Sequence, residues 1–281
     1  MKKNLIVLID YPFNKRDYDR FGIAILERSF CVEIWDLSTL IYPSFPKDTG
    51  QGNDIPMVLL KKFLSVSDLE AALESVDNKT VMISSFDLSE KTSFIFRSIS
   101  RENLQYCVLQ MITFPSPDEE CRSLTEQVMR TYEKLKEVKF REYRHYFFLL
   151  LQKLNVPWLY RLIGINSPDY IIITGAESRK ARKFPVDKGK TRYIWTHTLD
   201  YDIYLGIKDQ PVSRTEPFAV FLDEDFAGHI EFTIFGNYSS PFSPDEYFSK
   251  MRIFFDHVEK HLGIPVIIAA HPRTKNIRDM Q

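Results

Sequence analysis

The feature that most constrains this chain is an alternation. Apolar runs at residues 5–9, 31–35, 81–84, 106–112, 170–173, 193–195, 218–222 and 266–270 are bounded by turn residues, and most are separated by a segment of helical period. A strand that is apolar on both faces has to be covered on both faces, and strand, helix, strand in repetition gives a parallel sheet with helices against it. The expected fold class is therefore α/β, a Rossmann-like parallel sheet flanked by helices.

The helix signals are local and physical. Ser243-Pro244-Asp245-Glu246 is a capping box with proline in the first turn, and Tyr247, Phe248, Met251, Phe254, Phe255, Val258 and Leu262 then recur at helical spacing. Gly263 and Pro265 end that helix. Residues 15–29 follow the same logic, with Tyr18, Phe21, Ile25 and Leu26 on one face. Two regions break the rhythm. Residues 42–56 (YPSFPKDTGQGNDIP) read as a long surface loop. Residues 119–164 read as a mostly helical insertion, in which the continuously apolar 146–151 is flanked by Arg141, Arg144, Lys153 and Arg161, with Trp158 and Tyr160 nearby. One reading of 141–161 is a peripheral contact with an anionic membrane, aromatics at headgroup depth and cations on phosphates. The other is a helical hairpin packed against the sheet.

Composition narrows the partners. The 281 residues are 44% apolar and 14% aromatic, enough for a sizeable core. Net charge is −1 with both signs interspersed, which removes the basic field that nucleic-acid binding requires. Cys31, Cys107 and Cys121 form no CxxC pair; an odd count without that spacing argues against a disulfide framework or a zinc ribbon and suits a reducing cytoplasm. The opening MKKNLIVLID has neither the cleavage signal of a secreted protein nor the length of a span, and reads as a buried first strand.

In open parallel sheets ligands collect beyond the carboxyl ends of the strands, so the strand tips are where chemistry is expected. After the first strand come Asp10 and then Asn14, a helix cap, with Lys15 and Arg16 in the first turn. No G-x-G-x-x-G follows, so a dinucleotide fingerprint is absent. After the run at 218–222 come Asp223, Glu224 and Asp225, with His229 and Glu231 close behind. Carboxylates this close raise one another's pKa, which makes Asp223 a candidate general base and His229 a second catalytic candidate. Asp223-Glu224-Asp225 also has the spacing of a cation-binding D-x-D, the weaker reading, and no metal is assigned. After the last run, Pro272 turns the chain between His271 and Arg273, and the arginine offers a planar donor fork suited to phosphate.

These segments, IPVIIAAHPR after an amphipathic helix, FLDEDFAGHIEF, THTLDYDIYL and PFNKRDYDRFG…VEIWDLSTL, resemble a family of bacterial surface-polysaccharide biosynthesis proteins of glycosyltransferase type. The tip position of His-Pro is that of the signature of sialyltransferase-like and glycerophosphate-transferase-like GT-B enzymes. The resemblance implies two Rossmann-like domains, with His271 and Arg273 on the donor phosphates. It implies an acceptor near Asp10, Asn14, Lys15, Arg16 and Glu231, and a nucleotide-sugar donor as substrate with no separate cofactor. The paired acids depart from the sialyltransferase pattern, since Phe226 stands where a glycine would follow. On this reading residues 1–262 are the N-terminal half of a GT-B-type architecture, and 263–281 open a second domain whose remainder lies beyond the chain. The expected activity is transfer of a sugar to a glycan or lipid-linked acceptor in the cytoplasm or at the inner face of the membrane. The alternatives are a non-catalytic binding or assembly protein of the same pathway and a glycerophosphate-type transferase.

Overall fold

The structure, a computed structural model, describes residues 2–43, 59–110, 125–126, 129, 132–133, 143–179, 183–211, 216–224 and 243–270. Seven strands, β1 (Lys3–Ile9), β2 (Phe30–Asp36), β3 (Leu59–Lys62), β4 (Val81–Ser84), β5 (Gln105–Gln110), β6 (Tyr170–Thr174) and β7 (Arg192–Thr196), form one parallel sheet in the order β3-β2-β1-β4-β5-β6-β7. This is the Rossmann-like α/β sheet that the alternation predicts. Leu8 of β1 stands beside Trp35 of β2 and Ser84 of β4, which puts β1 in the interior of the sheet. Leu5, Ile6, Val7, Leu8 and Ile9 are accordingly all buried, the pattern of a strand covered on both faces.

One core cluster packs Leu5, Val7 and Ile9 against Val32, Ile34, Phe13, Tyr18 and Ile23. Each such aliphatic side chain contributes roughly 1.5–3 kcal/mol on burial. Farther along the sheet Phe96 makes edge or tilted ring contacts with Phe86, Tyr106 and Phe184 at 5.8, 5.7 and 5.4 Å.

Helices α1 (Lys15–Arg20) and α2 (Ile23–Leu26) replace the single helix expected over 15–29. Gly22 between them takes the left-handed φ of +60°, which interrupts the helical ladder. Asn14 caps α1 as expected, accepting from the Asp17 N–H at 3.0 Å. Next come α3 (Ser38–Ile41), α4 (Val66–Glu74) and α5 (Ser93–Arg101). Of the region 119–164, the described part holds α6 (Tyr143–Leu154) and α7 (Pro157–Leu162). Phe148, Leu151 and Tyr160 are buried while Phe147, Trp158 and Leu162 are exposed, so the pair has one packed side and one open one. Gln152 donates to the Leu88 carbonyl at 2.7 Å and Arg144 approaches Glu90 at 3.5 Å, tying α6 to the loop after β4. The short α8 (Gly175–Ser178) and α9 (Leu199–Ile207) follow β6 and β7.

The last strands form a sheet of their own. β8 (Ala219–Leu222) and β9 (Val266–Ala269) pair in parallel as a separate two-stranded sheet, joined by α10 (Pro244–Leu262). Ser243 caps α10 by accepting from the Glu246 N–H at 3.2 Å, and Gly263 closes it at φ +65°. Apart from the short Tyr42–Pro46 stretch, the chain to Gly206 forms one compact unit and Ile207 onward the second. The expected division near residue 262 had placed β8 with the first unit. Backbone bonds from Ala219 to Pro265 at 2.9 Å and from Asp223 to Ala269 at 3.0 Å place it with β9 instead.

Candidate functional site at the carboxyl edge of the sheet

The strand order reverses direction between β1 and β4, because chain progression runs outward through β2 and β3 on one side and through β5 to β7 on the other. The connections leaving β1 and β4 diverge there, and this switch point is the position at which open α/β sheets take ligands. Asp10 is the residue that follows β1 at this point.

Its neighbours are carboxylates. Asp36 ends β2 and Asp87 lies three residues past β4, while Asp17 sits in the first turn of α1. Asp10 is half-buried, and burial together with the charges of Asp87, Asp17 and Asp36 lifts its carboxyl from 3.8 to about 7, against the lowering effect of its own backbone N–H. The surrounding acids are committed elsewhere. Asp36 is 3% exposed and accepts from the Ser38 N–H at 3.0 Å, capping α3. Asp87 pairs with Lys183 at 2.5 Å. The loop after β4 is fixed to β1, since the Ser85 N–H and hydroxyl both donate to the Leu8 carbonyl, at 3.1 and 3.0 Å. The Thr92 hydroxyl donates to the Asp87 carbonyl at 2.7 Å, anchoring the same loop at its far end. A half-buried carboxyl with a proton affinity near neutrality, beside an anchored loop at the switch point, is equipped to take a proton from a bound hydroxyl.

The other sequence candidates fall into three groups. Asn14 spends its side-chain oxygen on capping, and Lys15 pairs with Asp19 one turn along the same helix while lying over the Tyr18 ring at 5.1 Å. Arg16 is exposed. Asp223 belongs to the second unit, where it is 5% exposed and accepts from the Tyr247 hydroxyl at 3.4 Å. It lines a small cavity with Phe221, Tyr247, Met251, Phe255 and Ile268. His229, Glu231, His271 and Arg273, and with them Asp225 of the D-x-D, lie outside the described residues. Among the described residues no group of three or more His, Cys, Asp or Glu is arranged to hold a metal ion.

Asp36, Asp87 and Lys183 are the residues the sequence reading missed. Asp36 and Asp87 close or follow apolar runs that the sequence does display, so the signal was present at two strand tips that the motif search passed over. Lys183 has no such signal, for it reaches Asp87 across 96 positions of chain. Cys107 is excluded as a nucleophile, since burial and the nearby Asp169 push its thiol up to about 12. Cys31 is exposed.

Among the described residues no helix is long and apolar enough to cross a membrane. Comparison with protein-family models, with curated proteins and with solved structures finds no match.

Proposed function

We propose that this chain is a glycosyltransferase-like protein of bacterial cell-surface polysaccharide biosynthesis, with Asp10 as the group that takes the acceptor's proton. The observation that carries the reading is the Asp10 carboxyl at the switch point, raised to about 7. The Rossmann-like sheet and the resemblance of the strand-tip motifs support it. In the proposed step the ionised Asp10 removes a proton from a glycan or lipid-linked hydroxyl as its oxygen bonds to the anomeric carbon. The bond from that carbon to the donor phosphate breaks, and the phosphate leaves with the electron pair. His271 and Arg273, by the resemblance, would stabilise that leaving charge, which is electrostatic work. Asp223 and His229 are the competing assignment for the base.

The reading places the protein in the cytoplasm near the inner face of the membrane, where Phe147, Trp158 and Leu162 offer the exposed apolar contact. Exchanging Trp158 and Leu162 together for serine is expected to reduce co-sedimentation with phosphatidylserine vesicles.

A thermal-shift panel of nucleotide sugars identifies the donor, and a transfer assay then tests Asp10. Asp10→Asn is expected to lower kcat by about 10²–10⁴ with little change in KM. The wild-type rate should fall as pH drops through about 7, because the base is then protonated. An Asp10→Asn protein that transfers at the wild-type rate while Asp223→Asn does not would move the base to Asp223. A panel with no stabilising donor removes the transferase reading.

A further inference from the structure

β7 is the outermost strand of the large sheet on its side, and its exposed surface is apolar. Ile194 is 44% and Trp195 54% exposed, so the strand is open on both faces. Half of its backbone groups also have no partner among the described residues. The Arg192 N–H donates to the Asp169 carbonyl at 2.9 Å, on the β6 side. Within a strand the N–H and C=O of one residue point the same way and alternate residue by residue, so Ile194 and Thr196 also face β6, while Tyr193 and Trp195 direct theirs to the free edge. An exposed, apolar, uncovered edge of this kind is a template for another strand.

The charges around β7 select what that strand is. Lys188, Lys190 and Arg192 lie at its start and Asp200 and Asp202 beyond its end, with no acidic residue from 188 to 199. Lys188 and Arg192 make no ion pair among the described residues, while Lys190 reaches Asp169 at 3.4 Å. Asp200 and Asp202 meet Arg20 and His197 only at 3.9 and 3.8 Å, with 66% and 70% of their side chains exposed. A segment that is basic at one end and acidic at the other is complementary to itself when reversed. It repels itself when laid in parallel.

We propose that a second copy of this chain docks on this edge, the two β7 strands pairing antiparallel about a two-fold axis through Ile194. In that register Tyr193 of each copy lies opposite Trp195 of the other. Both residues carry outward backbone groups, so each pair exchanges both of its hydrogen bonds and sets two aromatic rings side by side. Lys188 of one copy then lies toward Asp200 of the other. An isologous contact of this kind closes on itself and leaves no further free edge at β7. α9 leaves β7 within two residues and adds Tyr201, Ile203, Tyr204 and Leu205, all exposed, to the same apolar end. Exposed apolar side chains gathered at one end of the sheet call for cover that the described residues of one copy do not supply.

Sedimentation velocity of the full chain over a range of concentrations tests this. The wild type is expected to be dimeric. Trp195→Pro removes an N–H that faces only the free edge, and its side chain is exposed, so the sheet is expected to survive while the dimer weakens by about tenfold or more. Ile194→Lys, which sets two like charges on the axis, is expected to do the same. Lys188→Asp should weaken the dimer by about two- to fivefold, and adding Asp200→Lys should restore it. A wild type that stays monomeric overturns the proposal. So does a dimer untouched by Ile194→Lys, which remains decisive if circular dichroism shows that Trp195→Pro fails to fold.

Discussion

Burial and the neighbouring acids favour the protonated form of Asp10 relative to the unfolded chain, and that has a measurable consequence apart from any reaction. Its folded-state pKa of about 7 lies above the ordinary 3.8, so between those values the folded chain holds a proton that the unfolded chain has released. Stability therefore falls as pH rises through that window and stays lower above it. Asp10→Asn, which cannot ionise, is expected to be more stable than wild type at about pH 8 by on the order of 2–4 kcal/mol and to match it near pH 4. Chemical denaturation at the two pH values measures this, and an asparagine variant less stable at the higher pH would contradict it. A group that makes the fold less stable at the pH where it is ionised is characteristic of sites kept for chemistry. Lys183 moderates the effect by pairing with Asp87. Lys183→Met leaves the Asp87 charge uncompensated, so the Asp10 midpoint should move up, which a pH titration of either activity or stability would register.

At the scale of elements, what the sequence makes legible is what local chemistry decides. The buried run of β1, the capping of α10 by Ser243 and its closure at Gly263 are written in adjacent residues, and the structure shows each of them. Ser243→Ala is expected to destabilise α10 by about 1 kcal/mol, read as a loss of helical signal at lower denaturant. Two elements escaped for physical reasons. Gly22 sits inside an amphipathic pattern that continues through it, and only its left-handed backbone separates α1 from α2. β3 is a four-residue edge strand, Leu-Leu-Lys-Lys, exposed throughout and half charged, so it lacks the apolar run by which buried strands are found. Its contribution is shielding: Lys61 pairs with Glu33 at 2.8 Å, and Phe63, just beyond the strand, packs on Trp35 at 4.9 Å.

At the scale of the whole molecule, strand order is the property that sequence reading leaves open. The apolar runs give a parallel sheet but do not say which strands are neighbours. The switch point at Asp10 exists only because β4, rather than β3, lies beside β1. For the same reason Asp10 was legible as a strand-tip residue while its electrostatic setting was not, since Asp36, Asp87 and Lys183 come from distant parts of the chain. The pairing of β8 was hidden in the same way. β8 has the pattern of a core strand, and only its pairing with β9 assigns it to the second unit. The central claim is that this topology gives Asp10 a proton affinity suited to base chemistry at neutral pH. Its most direct measurement is an NMR titration of the Asp10 carboxyl carbon in the full chain, with Asp10→Asn to assign the signal. A midpoint of about 7, moving down in Asp87→Asn, is the result predicted. A midpoint at the ordinary 3.8, unmoved by Asp87→Asn, would contradict it.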